Sequence, residues 1–344
     1  MTRPTRTMAL ALAALAVALV AAACGGGDDA PGSADTSGAA GIEDVTVILD
    51  WFPNADHMGL YGAIDQGYFA EEGLDVDPVQ PSDPAAALKQ VGRGRAPFAI
   101  SYEPEVLLAR AQGVPVKAVG AIAVHPLNSV IVRADREIAR PRDLEGKTVG
   151  ATGLPSDRAL LDTVVRADGG DPDRVRVSNV GFNLSPALAA GRVDALIGAY
   201  WNIEVPEIED KGVDVEVFRL EDSGVPDYDE LVVVTSDDVA RERPGLVRRF
   251  LAALRRGQDW AGADQAGATD AVVAANADLD RDLVLEQARL TAPIIAPDDK
   301  PTLALDPAAW RGYAAWMREN GLLRRDVDVE AAVTDEFLPP PEEG

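Results

Sequence analysis

The sequence predicts an α/β protein of two lobes followed by a helical tail. From residue 45 onward, short apolar runs of strand length alternate with helical segments, which is typical of lobes with mainly parallel sheets. Two similar apolar runs, Asn128–Arg133 and residues 230–235, flank a self-contained α/β block of about 100 residues. We interpret these runs as the two crossings between the lobes. After residue 235, helical patterns follow one another without intervening strands.

The first strand and the loop after it are the most informative part of the chain. Residues 45–49 form a β-branched apolar run of the kind that becomes a buried strand. Residues 58–69 then have a helical pattern, with Leu60 and Ile64 on one face. The loop between them, residues 50–57, lies at the carboxyl end of the strand, where open α/β sheets hold small ligands. We therefore expect this loop to bind a ligand.

The later elements repeat the same alternation. Further strands are predicted at residues 98–100, 116–123, 129–132, 148–150, 176–177, 195–197 and 231–234. The clearest helix between them is Asp157–Ala167, which carries the apolar stripe of Leu160, Leu161 and Val164. In the tail, helices are predicted at residues 241–276, 281–290 and 307–323, and we expect them to pack on the first lobe.

The chain begins with a pattern typical of a secretory signal. Arg3 and Arg6 precede an apolar run at residues 8–20 that is too short for a comfortable membrane span. The only cysteine, Cys24, follows after small residues, so the segment resembles a bacterial lipoprotein signal in which Cys24 becomes the lipidated first residue. The segment departs from that pattern at Ala21, where leucine is most usual. An ordinary cleaved signal with an incidental cysteine is the alternative.

These patterns give the predicted organisation of the chain. Residues 1–23 form the signal peptide, 24–43 a flexible tether, 44–132 the first part of lobe one, 133–233 lobe two, and 234–344 the second part of lobe one with the helical tail. A tether rich in Gly, Ala, Ser and Asp would leave the lobes free above a membrane surface.

The composition excludes several classes of function. A net charge of −25 disfavours nucleic acid and anionic membrane as partners, although solubility alone explains most of the acidic residues. With Cys24 in the signal and His57 and His125 as the only histidines, a metal site of His and Cys ligands is not expected. We find no phosphate-binding loop, zinc-protease motif or nucleophile elbow, which argues against a nucleotide-dependent enzyme or a hydrolase. No cofactor is expected, and the chain is predicted to be a monomer.

One group of motifs resembles a known family. The loop Asp50-Trp51-Phe52-Pro53-Asn54 with His57, followed by residues 67–76, resembles the start of the periplasmic-type solute-binding proteins of ABC transporters. More narrowly, it is similar to the group that binds thiamine pyrimidine precursors, which is related to the fungal and plant enzymes that make that pyrimidine. The likeness extends to residue 236, includes the narrow signal Pro-Asp-Tyr-Asp-Glu at residues 226–230, and lapses in the helical tail.

The resemblance implies a bilobal periplasmic-binding-protein fold of type II, with a two-crossing hinge and a ligand held as the lobes close. It implies export and anchoring to the outer face of the cytoplasmic membrane through lipidated Cys24. It also implies delivery of a small aromatic solute to ABC permease subunits.

The candidate ligand-binding residues combine aromatic rings with acids and amides. The aromatic members, predicted at strand ends or in loops beside polar residues, are Trp51, Tyr102, Tyr200, Trp201 and Tyr228. Stacking walls for a flat heterocycle need such rings, although any one ring could equally plug the edge of a lobe. The polar members are Asp50, Asn54, His57, Glu103, Asn128, Glu204 and Asp229.

Several of the polar candidates have a purely structural alternative. Asp50 and Asn54 either bind ligand or cap the helix near Met58. Asn128 either contacts ligand or braces the crossing, and turns favour Asp229 regardless of function. For Glu204, spacing alone favours an ordinary surface glutamate, whereas the resemblance implies hydrogen bonds to the edge of an aminopyrimidine.

Two classes of function fit these residues. The first is a receptor for an N-formylated or free aminomethyl pyrimidine related to thiamine, or for another planar ligand such as riboflavin or an aromatic sulfonate. The second is an enzyme related to the pyrimidine synthases that consume pyridoxal phosphate and one of their own histidines. The export signal, the few lysines and the lack of a cysteine-rich segment favour the receptor, so we predict that the chain is not an enzyme.

Overall fold

The computed structural model describes residues 41–340 as two five-stranded sheets with helices packed around them. The predicted α/β class with two lobes is thereby confirmed. The predicted signal peptide, Cys24 and nearly all of the predicted tether lie outside the described residues.

The first sheet has the strand order β2-β1-β3-β10-β4. Its strands are β1 (Glu43–Ile48), β2 (Leu74–Val79), β3 (Phe98–Ser101), β4 (Val116–Ala123) and β10 (Leu231–Ser236). Strand β1 is parallel to β2 and β3, whereas β10 is antiparallel to its neighbours β3 and β4.

The second sheet has the order β7-β6-β8-β5-β9. Its strands are β5 (Asn128–Arg133), β6 (Thr148–Ala151), β7 (Arg176–Asn179), β8 (Ala195–Tyr200) and β9 (Val215–Arg219). Strand β6 is parallel to β7 and β8, whereas β5 is antiparallel to β8 and β9. Each sheet is therefore mainly parallel, with a single strand reversed.

The reversed strands are the two runs that the sequence marks as crossings. Strand β5 pairs only within the second sheet, and β10 pairs only within the first. We propose on this basis that the chain passes between the lobes in residues 124–127 and 220–230, close to the predicted limits at residues 132 and 233.

Helices connect the strands and form the carboxyl-terminal segment. They are α1 (Met58–Asp65), α2 (Tyr68–Glu71), α3 (Ala87–Val91), α4 (Glu103–Ala111), α5 (Asp157–Ala167), α6 (Leu184–Ala189), α7 (Glu204–Asp210), α8 (Asp237–Glu242), α9 (Pro244–Ala263), α10 (Gln265–Ala275), α11 (Arg281–Ile295), α12 (Pro307–Glu319) and α13 (Val329–Ala332). Short 3₁₀ helices occupy Ala55–His57, Pro141–Leu144, Pro172–Arg174 and Glu221–Ser223. Within residues 41–340, none of the helices has both the length and the apolar character needed to span a membrane.

The predicted long helices are interrupted for local reasons. The helix expected at residues 58–69 breaks at Gly67, whose φ of 74° is left-handed and suits glycine. The helix expected at residues 241–276 is three helices, because Pro244 keeps Arg243 out of the helical region and Asp264 caps α10 by accepting from the Gly267 N–H.

Helix α9 packs so closely on α1 that glycines are needed between them. A Cβ atom on Gly257 would lie 2.2 Å from the carbonyl oxygen of Gly59. Farther along the same helix, Phe250 stacks on Phe98 of β3 with ring centroids 4.1 Å apart. The helices after β10 thus share a buried apolar core with the first sheet, which fixes the first sheet's loops on that side.

Candidate functional site

Loops from both sheets meet around one enclosed cleft. The carboxyl ends of β1, β3, β6 and β8 and the amino ends of the reversed strands β5 and β10 all contribute to it. A reversed strand presents its amino end where its parallel neighbours present their carboxyl ends, and this edge is where open α/β sheets hold ligands. The walls lie close together and leave a cavity of about 20 Å³, so a ring-sized ligand would enter as the lobes separate.

Most of the predicted site residues line this cleft. They are Asp50, Trp51, Asn54, Tyr102, Asn128, Tyr200, Glu204 and Tyr228. The structure adds Thr152, Leu154, Ser156, Gly198 and Glu230, among others, which the sequence reasoning missed.

The loop after β1 is held by a buried hydrogen-bonded group around Asp50. Asp50 Oδ1 lies 2.8 Å from His57 Nε2, and its Oδ2 accepts from the Tyr102 hydroxyl at 3.0 Å. All three side chains are buried, so the two donors compensate for the desolvation of the carboxylate. Asp50 is thereby fixed against the wall of the cleft.

Asn54 caps a short helix and also lines the cleft. Its Oδ1 accepts from the Asp56 N–H at 2.8 Å, which caps the 3₁₀ helix Ala55–His57. The same residue lines the cleft. Within the described chain its Nδ2 group has no hydrogen-bond partner, so it is available to a ligand.

Glu230 joins the two crossings beneath the cleft. Its Oε2 accepts from the backbone N–H groups of Leu127 and Asn128, both at 2.9 Å, and from the Tyr228 hydroxyl at 2.8 Å. Its Oε1 accepts from the Tyr200 hydroxyl at 3.1 Å. Burial raises the pKa of Glu230 to about 7, against the lowering effect of these hydrogen bonds.

Sequence reasoning could have found Glu230 from its position. It ends the run Pro-Asp-Tyr-Asp-Glu and directly precedes the fully buried strand β10. A carboxylate beside such a strand must be paired or functional, because burying an isolated charge is costly. The hydroxyls of two predicted aromatic residues, Tyr200 and Tyr228, are its partners.

Glu204 is buried at the start of α7 and lines the cleft. Its Oε2 accepts from the Tyr200 N–H at 2.6 Å, and Oε1 has no hydrogen-bond partner among residues 41–340. Burial and then the charge of Glu207 hold the pKa of Glu204 well above its ordinary value. The unpaired Oε1 can accept a hydrogen bond from a ligand.

Asn128 is set by an irregularity in the second sheet. Its Oδ1 accepts from the Gly198 N–H at 2.9 Å, where the pairing of β5 with β8 shifts register. Gly198 has a φ of 80°, and a Cβ atom there would lie 2.7 Å from the Thr152 side chain. A glycine is thus required, and the Nδ2 group of Asn128 has no partner within the described residues.

The loop after β6 completes the opposite wall of the cleft. Asp157 Oδ2 accepts from the Thr152 hydroxyl at 2.7 Å and from the N–H groups of Gly153 and Leu154. Glu105 on α4 accepts from the Ser156 N–H at 3.1 Å and so connects elements of the two sheets. Burial raises the pKa of Asp157 to about 6 and that of Glu105 to about 7.

The remaining predicted site residues lie behind the cleft. His57 supports Asp50 from within the lobe. Glu103 accepts from the Asp229 N–H at 2.8 Å, and the Asp229 carboxylate accepts from Trp310 Nε1 at 2.7 Å. Trp201 is half-buried under the Arg219 guanidinium, which lies 3.8 Å from its ring centroid. None of them lines the cleft.

The chemistry of the cleft suits a flat polar heterocycle. Rings stand around it, the acidic groups Asp50, Glu204 and Glu230 supply acceptors, and Asn54 and Asn128 supply amide donors. The charged side chains among its described lining residues are all acidic. Within residues 41–340, no three His, Cys, Asp or Glu side chains are grouped so as to hold a metal ion.

Comparison with known sequences gives three findings. The family model described as NMT1/THI5-like matches residues 54–268. The formylaminopyrimidine-binding protein of Halalkalibacterium halodurans is 36% identical over 301 residues, covering 86% of this chain and 91% of that protein. A 4-amino-5-hydroxymethyl-2-methylpyrimidine phosphate synthase of Saccharomyces cerevisiae is 25% identical over 253 residues, covering 71% of this chain and 74% of that protein.

Solved structures give the same fold at lower identity. The alkanesulfonate-binding protein of Xanthomonas axonopodis, solved with MOPS bound, superimposes with a TM-score of 0.69 at 18% identity. The superposition covers 86% of this chain and 99% of that chain. The likeness supports a bilobal binding-protein fold.

Proposed function

Because this chain belongs to the NMT1/THI5-like family, we propose that it is the solute-binding component of an ABC importer and that its cleft binds an aminopyrimidine related to thiamine. The formylaminopyrimidine-binding relative covers most of both chains, which supports the same ligand class here. The observation that carries the proposal is Glu204, a buried acid with a free oxygen inside an aromatic cleft.

An aminopyrimidine presents an amino donor beside a ring-nitrogen acceptor. A carboxyl oxygen matches the amino group by accepting a hydrogen bond from it. In Glu204 the Tyr200 N–H already occupies Oε2, so Oε1 is the oxygen open to the ligand.

The ring of such a ligand needs flat partners. Trp51 lies on the wall from the first sheet, and Tyr200 lies on the wall from the second. Tyr102 and Tyr228 have their hydroxyls bonded to Asp50 and Glu230, which fixes their rings in place. We assign Trp51 and Tyr200 as the stacking residues.

An aromatic sulfonate fits the cleft less well. A sulfonate needs cationic or strong N–H donors, whereas the ionisable side chains of the cleft's described lining are carboxyls and tyrosines. Riboflavin is neutral and has hydrogen-bonding edges of its own, so it stays the alternative ligand.

We further propose that the chain is exported, anchored through lipidated Cys24 to the outer face of the cytoplasmic membrane, and docked as a monomer on its permease subunits. Binding rather than synthesis is supported by the higher identity of the binding-protein relative. His57 is also unsuited to being consumed, since it is buried and bonded to Asp50.

Calorimetric titration of ligand-free protein tests the proposal. We expect an N-formyl or free aminomethyl pyrimidine to bind with a Kd in the micromolar range or tighter, about −8 kcal/mol or better. Glu204→Ala should weaken binding about tenfold or more, because a hydrogen bond to an ionisable group is lost. Glu209→Ala, on the exposed side of the same helix, is the matched control.

If no thiamine-related pyrimidine binds to ligand-free protein, the assigned ligand class is wrong. If the pyrimidine binds and Glu204→Ala has no effect, the ligand class stands but the contact with Glu204 does not.

A further inference from the structure

A second cavity lies directly against the cleft. It has a volume of about 240 Å³ and shares Trp51, Asn54, Ile203 and Glu204 with the cleft as common walls. We call this second cavity the vestibule. A ligand that contacts Glu204 in the cleft would therefore lie next to the vestibule.

Aromatic rings form one side of the vestibule. Phe182, from the loop after β7, packs edge-on against Trp51 and Phe52 with ring centroids 4.6 and 4.9 Å apart. Phe52 is 40% exposed. Leu279 and Leu283, from the segment around α11, also line the cavity.

The charged side chains among the vestibule's described lining are all acidic. They are Glu204, Glu207 and Asp280. Glu207 Oε2 accepts from the Ser185 hydroxyl at 2.7 Å, and Asp280 Oδ1 accepts from two backbone N–H groups of α11. The second oxygen of each of these three carboxyls has no hydrogen-bond partner among residues 41–340. Glu204, only 5% exposed, lines both cavities.

Aromatic rings and carboxylates around one cavity are the side chains that bind an organic cation. Ring faces attract a cation through their quadrupole, and the carboxylates supply the opposite charge in a partly desolvated space. A positive group between Glu204 and Glu207 would also relieve the repulsion between these two acids. A neutral substituent would gain neither the attraction of the ring faces nor that of the carboxylates.

We infer that the vestibule is a subsite for a cationic ring joined through a methylene to the aminopyrimidine in the cleft, the chemistry of intact thiamine with its thiazolium. This inference rests on the proposed function, because the aminopyrimidine is placed by the cleft. It extends the ligand class from the pyrimidine alone to pyrimidines that carry a positively charged second ring.

Calorimetry with two probes tests the inference. The probes are the neutral N-formyl aminomethyl pyrimidine and thiamine, each titrated into wild type, Glu207→Gln and the control Glu209→Gln. We expect thiamine to bind wild type within about tenfold of the neutral pyrimidine, and Glu207→Gln to lower the ratio of thiamine to pyrimidine affinity about three- to tenfold. Glu209→Gln removes the same charge from the same helix outside the vestibule and should leave that ratio unchanged.

Each outcome decides the matter. If the neutral pyrimidine binds but thiamine is at least a hundredfold weaker, the vestibule inference is overturned while the proposed function stands. If both control and test variants lower the ratio equally, the effect is general surface charge and the subsite is again overturned. If neither probe binds, the proposed function and the subsite fall together.

Discussion

His57 Nε2 lies 2.8 Å from Asp50 Oδ1, and the pair is buried behind the cleft. Because His57 Nδ1 faces the Asn54 N–H at 3.3 Å and accepts from it, the ring proton is assigned to Nε2, which donates to Asp50. The histidine of the loop is therefore a positioning residue for a carboxylate on the cleft wall.

Replacing His57 by alanine should destabilise the protein and weaken ligand binding together. The change removes one of the two side-chain donors of buried Asp50, which costs about 1–3 kcal/mol in the free energy of unfolding. Urea denaturation and calorimetric titration measure the two effects.

The chain supplies a matched control for this variant. His125 also pairs with an aspartate, Asp227, at 2.8 Å, but both side chains are about half exposed. His125→Ala should change the free energy of unfolding by less than about 0.5 kcal/mol. Equal destabilisation by the two variants would contradict the role assigned to the buried pair.

The buried carboxyl group of Glu230 should make the free energy of unfolding depend on pH. Burial raises its pKa in the folded protein from 4.5 to about 7, so the folded state holds this proton more tightly than the unfolded state. Its favourable contribution is complete below about pH 4.5 and is lost as the pH rises through about 7. Other buried acids with raised pKa values act in the same direction: Asp56, Glu105, Asp157 and Asp229.

Glu230→Gln should therefore reduce the pH dependence without abolishing it. Glutamine can accept from the Leu127 and Asn128 N–H groups through Oε1 and donate to the Tyr200 hydroxyl through Nε2. Between pH 5 and 8, the fall in the free energy of unfolding should be smaller in the variant than in wild type by an amount on the order of 1–3 kcal/mol. An unchanged slope in urea denaturation series would show that Glu230 does not titrate in this range.

The parts of the site that the sequence predicted follow from strand ends. Trp51, Asn54 and Tyr102 lie in the segments that follow apolar runs, and the carboxyl end of a parallel strand places such residues at one edge of the sheet. The same rule found Tyr200 and Glu204 after β8. The position of these residues can be predicted without knowing which strands are neighbours in the sheet.

The parts of the site that the sequence did not predict depend on pairing between strands that are far apart in the chain. Glu230 reaches the cleft because β10 is antiparallel within the first sheet, which no local pattern states. Gly198 and Thr152 are brought together because β6 and β8 are parallel neighbours in the second sheet. His57 belongs to the loop that is predicted to bind the ligand. In the structure, however, its ring lies inside the lobe and is bonded to Asp50.

Asn202 should matter for the contact between the lobes. It follows β8 of the second sheet, and its Nδ2 group donates to Asp56 at 2.6 Å and to Thr291 at 2.8 Å on the side of the first sheet. Asn202→Ala leaves the buried Asp56 carboxyl with Thr291 as its remaining side-chain donor. We expect a loss of about 1–3 kcal/mol in the free energy of unfolding and weaker ligand binding.

A comparison with Asn320→Ala isolates this effect. Asn320 is exposed at the end of α12 and donates only to a backbone carbonyl one turn away. Its removal should cost less than about 0.5 kcal/mol. If Asn202→Ala unfolds at the same urea concentration as Asn320→Ala, the bond between the lobes contributes nothing.

Trp51 offers a graded test of stacking in the cleft. It lies on the boundary of the cleft and the vestibule, half-buried, and its ring is held by Phe182 at 4.6 Å. Trp51→Phe keeps a smaller face for the ligand and should weaken pyrimidine binding about threefold, whereas Trp51→Ala removes the face and should weaken it about tenfold. Because the side chain is not part of the fully buried core, thermal unfolding of both variants should stay close to wild type. The order wild type, phenylalanine, alanine in calorimetric affinity is the signature of ring stacking; equal affinity of the alanine variant and wild type would place the ligand away from this wall.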